Sequence, residues 1–131
     1  MVEHENTKQL REGYEAFASG DIEKATANFA DDIIWHISGP GPLAGDYKGI
    51  SEVVGFFGKL VEETGGTFKL NVNHLIADDE HAYALVDISA ERNGKRFSDK
   101  VVHHFTFDSD GKVTEYWPFA SDPEQAIDFW S

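Results

Sequence analysis

Residues 82–107 read AYALVDISAERNGKRFSDKVVHHFTF, and this stretch decides the fold. Two runs rich in Val, Ile, Phe and Tyr flank Asn93-Gly94. A two-residue hairpin of type I′ needs positive φ at both central positions, which Asn-Gly tolerates best. The pattern predicts two long antiparallel strands, Ala82 to Arg92 and Phe97 to Phe107. Within the second, Val101, His103, Phe105 and Phe107 share one side, because successive side chains alternate between faces.

Working outward, Asp108-Ser109-Asp110-Gly111 turns the chain into another strand, Val113 to Phe119. That tetrapeptide resembles part of a calcium loop but lacks the remaining ligands, so it is read as a turn. Upstream, Phe68, Leu70, Val72, His74 and Ile76 alternate with Lys69, Asn71, Asn73 and Leu75, and Asp78-Asp79-Glu80 closes that strand. Three helices come earlier. Asn6 with Gln9 forms a capping pair before Leu10, Tyr14, Phe17 and Ala18. Asp21 caps a short second helix carrying Ile22, Ala25 and Phe29, closed by Asp31-Asp32. Ile33 to Ile37 follows as a strand, and Ser38 to Gly45 is a Gly/Pro loop of the kind that borders sites. Ile50 to Thr64 is a third helix with a broad apolar face, stopped by Gly65-Gly66. Asp122-Pro123-Glu124-Gln125 opens a final short helix. The order is α-α-β-α-β-β-β-β plus a terminal turn of helix. It predicts one α+β domain over 1–131, a cone of curved antiparallel sheet with three helices on its concave side.

Composition narrows the function. The chain has 131 residues, no cysteine, 24 Asp and Glu against 11 Lys and Arg, and a formal net charge of -13. Thiolate metal sites and a thiol nucleophile are excluded. Nucleic acid and anionic membrane surfaces would be repelled; Arg92, Lys95, Arg96 and Lys100 only flank the hairpin tip. No apolar run approaches the ~20 residues of a membrane span, and the acidic start has no signal-peptide core. A cytoplasmic domain is the expectation. No phosphate loop, Ser-His-Asp order or His-Glu-x-x-His string appears, and neither metal nor cofactor is expected.

Several strings carry a family resemblance: Tyr14 with Phe17-Ala18-Ser19-Gly20-Asp21, Phe29-Ala30-Asp31-Asp32, Trp35-His36, and Gly39 with Pro42-Leu43-Ala44-Gly45-Asp46-Tyr47-Lys48-Gly49. Val102-His103-His104-Phe105, Gly111-Lys112-Val113 and Asp128-Phe129-Trp130-Ser131 complete the set. Together they resemble the SnoaL-like branch of the nuclear-transport-factor-2-like superfamily. The resemblance implies a cystatin-like cone with an apolar pocket, a homodimer through the sheet, and ligand binding or isomerase, cyclase or hydrolase chemistry. Ketosteroid isomerase, a member, uses an Asp base with a Tyr and a protonated Asp as oxyanion donors. Those positions fall here on Ile37, Gly13 and His103. Tyr14 is one residue away, a rotation of about 100° on a helix.

His103 is therefore the leading catalytic candidate, a neutral base or donor in an apolar cone; the alternative is a core histidine bonded to a neighbouring Tyr or Asp. Asp99 shares its parity and is either an orienting carboxylate or a surface residue. Asp87 is either a desolvated general base or part of an outer face. Tyr14, Trp35, Ile37, Phe57, His74, Phe105 and Trp117 are the candidate ligand contacts. Aromatic stripes of this kind are more often core than site. Either Trp35 or His36 faces the cone, not both. Two functions compete: a cofactor-independent enzyme acting on a small hydrophobic molecule, and a non-catalytic binding or assembly domain.

Overall fold

The computed structural model describes residues 3–131, so the first two residues of the acidic start lie outside it. The hairpin forms as the sequence dictates. Strands pair from His81↔Thr106 to Arg92↔Lys95 without interruption, and Asn93 and Gly94 take φ of 52° and 78°. In chain order the elements are α1 (Glu5–Ala18), α2 (Ile22–Ala25), β1 (Phe29–Ile37), β2 (Gly45–Lys48) and α3 (Ile50–Glu63). They continue with β3 (Lys69–Ala77), β4 (His81–Arg92), β5 (Lys95–Phe107), β6 (Val113–Ala120) and α4 (Pro123–Trp130). Six strands make one sheet in the order β2-β1-β6-β5-β4-β3. The fold is mixed α+β with a curved, unclosed sheet.

Four local expectations are corrected. The sheet is not wholly antiparallel, since β1 runs parallel to β6. β2 is an additional strand; its four residues, largely exposed, show no alternation to read. Phe29, Asp31 and Asp32 belong to β1 rather than to α2, which ends after one turn where the Thr26 hydroxyl donates to the Ile22 carbonyl. The two aspartates point to solvent where the β1–β6 register shifts between Phe29 and Ile34. His4, not Asn6, caps α1: its Nδ1 accepts from the Asn6 amide at 3.0 Å. The Asn6 side chain donates instead to the Asp78 carbonyl, tying the helix start to the β3–β4 turn. Asp21 and Asp122 cap α2 and α4 as expected, accepting from Lys24 and Gln125 amides.

The core lies between the inner face of the sheet and α1 and α3. Leu10 from α1 and Val53, Phe57 and Leu60 from α3 pack on Ile33, Trp35, Phe105 and Tyr116. At one end of the cone the Ser38–Ala44 loop meets α4. Gly41 takes φ of 113°, and a Cβ there would stand 2.8 Å from the Trp130 carbonyl oxygen. Only glycine allows that approach. No described helix is long and apolar enough to cross a membrane.

Candidate functional site

The helices do not fill the cone. A cavity of about 460 Å³ remains between α1, α3 and the inner faces of β1, β5 and β6. Its wall is mostly aromatic and aliphatic, including Leu10, Phe17, Trp35, Phe57, Phe105 and Tyr116. The exposed residues Glu12, Lys24 and Pro40 edge it. This size and lining suit a small apolar molecule.

Two elements bring polar groups together on that wall. His103 is carried inward by the unbroken alternation of β5 and is 6% exposed. Tyr14 descends from α1, and its hydroxyl lies 2.7 Å from His103 Nδ1. Burial drives the imidazole pKa down to about 3. Burial, with the neighbouring Tyr116, also raises the Tyr14 phenol well above its usual range. Both groups are therefore neutral near pH 7. A neutral imidazole and a phenol share two polar protons, and one is spent in their mutual hydrogen bond. Whichever tautomer forms, one proton is left to donate: Nε2–H of His103 or the Tyr14 O–H.

Tyr116 adds a third group. It pairs with Phe105 across β5–β6 and meets His103 edge-on at 4.9 Å between ring centres. Burial pushes its phenol well above the ordinary value, so it stays protonated. Trp35 stacks on Tyr116 at 3.7 Å, and its indole N–H is buried with no partner among the described residues. The sequence alone does not single out Tyr116 as a site residue. The one signal that could have singled it out is that a strand cannot send Tyr116 and Trp117 to the same face.

The other sequence-stated residues divide by face. Trp35, Ile37, Phe57 and Phe105 line the cavity together with Tyr14 and His103. The one-residue offset of Tyr14 does not keep it from the site; the roll of α1 delivers its hydroxyl to His103. Trp117 lies on the opposite face, stacked between His36 and His104 at 5.0 Å from each. His36 is outside too. Its Nδ1 meets Asp46 and its Nε2 meets Glu115, both at 2.8 Å. Burial lowers its pKa, but the hydrogen bonds to Glu115 and Asp46 outweigh that and raise it. His74 is exposed, because a register shift between Val72 and His74 reverses the parity of β3 and turns Leu75 and Ala77 inward.

Neither carboxylate joins His103. Asp87 lies on the outer face, accepting from Lys100 Nζ at 2.8 Å and Asn73 Nδ2 at 2.9 Å. Those bonds lower its pKa, the reverse of a desolvated base. Asp99 has the inward parity but accepts from the backbone amides of Lys100 and Asp122, which fixes the start of α4. Among the described residues no group of three or more His, Asp or Glu is placed to hold a metal ion.

Comparison with known proteins agrees with the fold. The chain superposes on Bal32a, from a soil-derived mobile gene cassette, with a TM-score of 0.89 at 35% identity, covering 96% of each chain. A protein of unknown function with a cystatin-like fold from Xanthomonas campestris gives a TM-score of 0.88 at 24% identity, over 98% of this chain and 99% of that one. An uncharacterised protein of Mycobacterium tuberculosis is 26% identical over the whole of both chains. The family model of the SnoaL-like domain matches residues 10–116, and the chain belongs to that family.

Proposed function

We propose that this domain binds a small, largely apolar molecule bearing a carbonyl, enol or phenol oxygen, and that Tyr14 and His103 hold and polarise that oxygen. The observation that carries the reading is the 2.7 Å contact between Tyr14 and His103 on the wall of an otherwise apolar cavity. A histidine with a pKa near 3 is a poor proton acceptor at neutral pH. A neutral imidazole or phenol in a dry site is nevertheless an effective donor to oxygen that gains charge. Cofactor-independent isomerisation, cyclisation or hydrolysis can use such stabilisation. The positions of Asp87 and Asp99 outside the cavity favour donation over abstraction by a carboxylate, and equally support the second reading, a ligand carrier without turnover.

The test uses 2-naphthol and naphthalene, which share a ring system and differ by one hydroxyl. 2-Naphthol is expected to raise the melting temperature more than naphthalene. Because either group can supply the donated proton, the double variant Tyr14→Phe/His103→Leu should erase most of the difference, up to about tenfold in Kd for one lost hydrogen bond. Unchanged discrimination in the double variant would overturn the reading.

We also propose a homodimer formed through the outer sheet face. Ile76, Tyr83, Val102 and Phe119 are exposed there, from 37% to 68%. Tyr83, His104, Trp117 and His36 form a stacked row across four strands beside them. Sedimentation at micromolar concentration should show a dimer that Val102→Glu dissociates. A monomeric wild type excludes it.

A further inference from the structure

One wall of the cavity is shared with a second space. Beyond that wall, a groove runs between the end of α1, the outer side of α3 and the β3 edge. Six residues line both spaces: Tyr14, Phe17, Phe57, Phe68, Leu70 and Ile88. Phe17 stands in this partition, edge-on to Phe57 at 5.2 Å and to Phe68 at 6.3 Å. Side chains change rotamer on fast timescales, so a partition made by Phe17 can open. On the far side α3 presents Val54, Gly58 and Val61 to the groove, with the two valines 38% and 52% exposed. These residues sit at i, i+4 and i+7, one continuous helical stripe. A solvated helix face would gain nothing from valines there.

We propose that this groove is a second subsite, taking the aliphatic tail of the same ligand whose oxygen meets Tyr14 and His103. The ligand class is then an amphiphile, with an oxygen-bearing head and an unbranched or lightly branched chain. This rests on the cavity being the binding site. The shared wall argues for the occupant: Tyr14 and Phe17 line both spaces, so a chain attached to a head held at Tyr14 enters the groove once the Phe17 ring turns aside.

The chain has a convenient plug. Gly58 lies mid-helix, and a Cβ added there meets nothing within 4 Å. Replacing a helical glycine also removes a propensity penalty, so substitutions should fold. The experiment compares Kd for 4-butylphenol and 4-octylphenol by quenching of tryptophan fluorescence. Each methylene that leaves water is worth about fourfold. The octyl compound should bind wild type and Gly58→Ala at least about tenfold more tightly than the butyl compound. In Gly58→Phe, alone or with Val61→Trp, that ratio should fall below about threefold while butylphenol binding is unchanged. An octyl advantage that survives both plugs places the tail elsewhere and overturns the proposal, as does an octyl compound no tighter than butyl on wild type. Failure of the cavity reading shows separately: butylphenol would then bind Tyr14→Phe/His103→Leu as well as wild type.

Discussion

Lowering the pH from 7 to 4 is expected to cost the wild-type protein about 3 kcal/mol that His103→Gln does not lose. The unfolded imidazole titrates near 6.5, whereas burial holds the folded one at about 3. Protons therefore bind the unfolded chain first. The stabilising contribution is complete above pH 6.5, falls as the pH drops below it, and is exhausted near pH 3. Its ceiling is about 5 kcal/mol, at roughly 1.4 kcal/mol per pKa unit. A histidine that is 6% exposed needs no large discount for solvent screening. Carboxylates elsewhere will also respond to acid, so the difference between the two proteins is the measured quantity. Glutamine retains a carbonyl that can accept from the Tyr14 hydroxyl. Urea unfolding at pH 7, 5.5 and 4 should show the two stabilities converging. Parallel profiles would mean that His103 is solvated and that the cavity is wet around it.

The same residue shows why parts of this site were legible in the sequence. β5 pairs with β4 over twelve consecutive positions, so simple alternation carried His103 and Phe105 inward without error. The Asn93-Gly94 turn was legible because its requirement is local. His74 was not legible. A bulge is settled by how β3 docks on β4, and one inserted residue reverses every side chain beyond it. The face of Trp117 was not legible for a similar reason: the β5–β6 register shifts between Thr106 and Phe107, and alternation counted from either side gives no anchor. The reach of Tyr14 depends on how α1 rolls over the sheet, which is a property of packing rather than of the helix itself. The family resemblance located the cone and the His103 position. It brought Tyr14 only to within one residue of the family's tyrosine position, which falls on Gly13.

Phe129→Ala should lower stability by about 3–5 kcal/mol, or roughly 10–20 °C in melting temperature for a chain of this size. α4 has eight residues, too few to persist alone in water. Phe129 is its anchor, 1% exposed and stacked on Phe97 at 5.1 Å. Ala126 and Trp130 add partly buried contacts, and the polar ties include Arg92 Nη1 to the Phe129 carbonyl at 3.2 Å and Lys95 Nζ to the Asp128 carbonyl at 2.7 Å. Ile127, 47% exposed on the same helix, should tolerate alanine with a change of only about 0.5 kcal/mol. The consequence reaches the cavity. Trp130 lines it and is the surface against which Gly41 of the Gly/Pro loop is seated. Once α4 is released, both sides of that end of the cone lose their contact. Limited proteolysis should then cut first between β6 and α4, and 2-naphthol binding should weaken before global unfolding begins. A Phe129→Ala protein that melts within about 3 °C of wild type would show that the strand core alone holds α4's contacts in place.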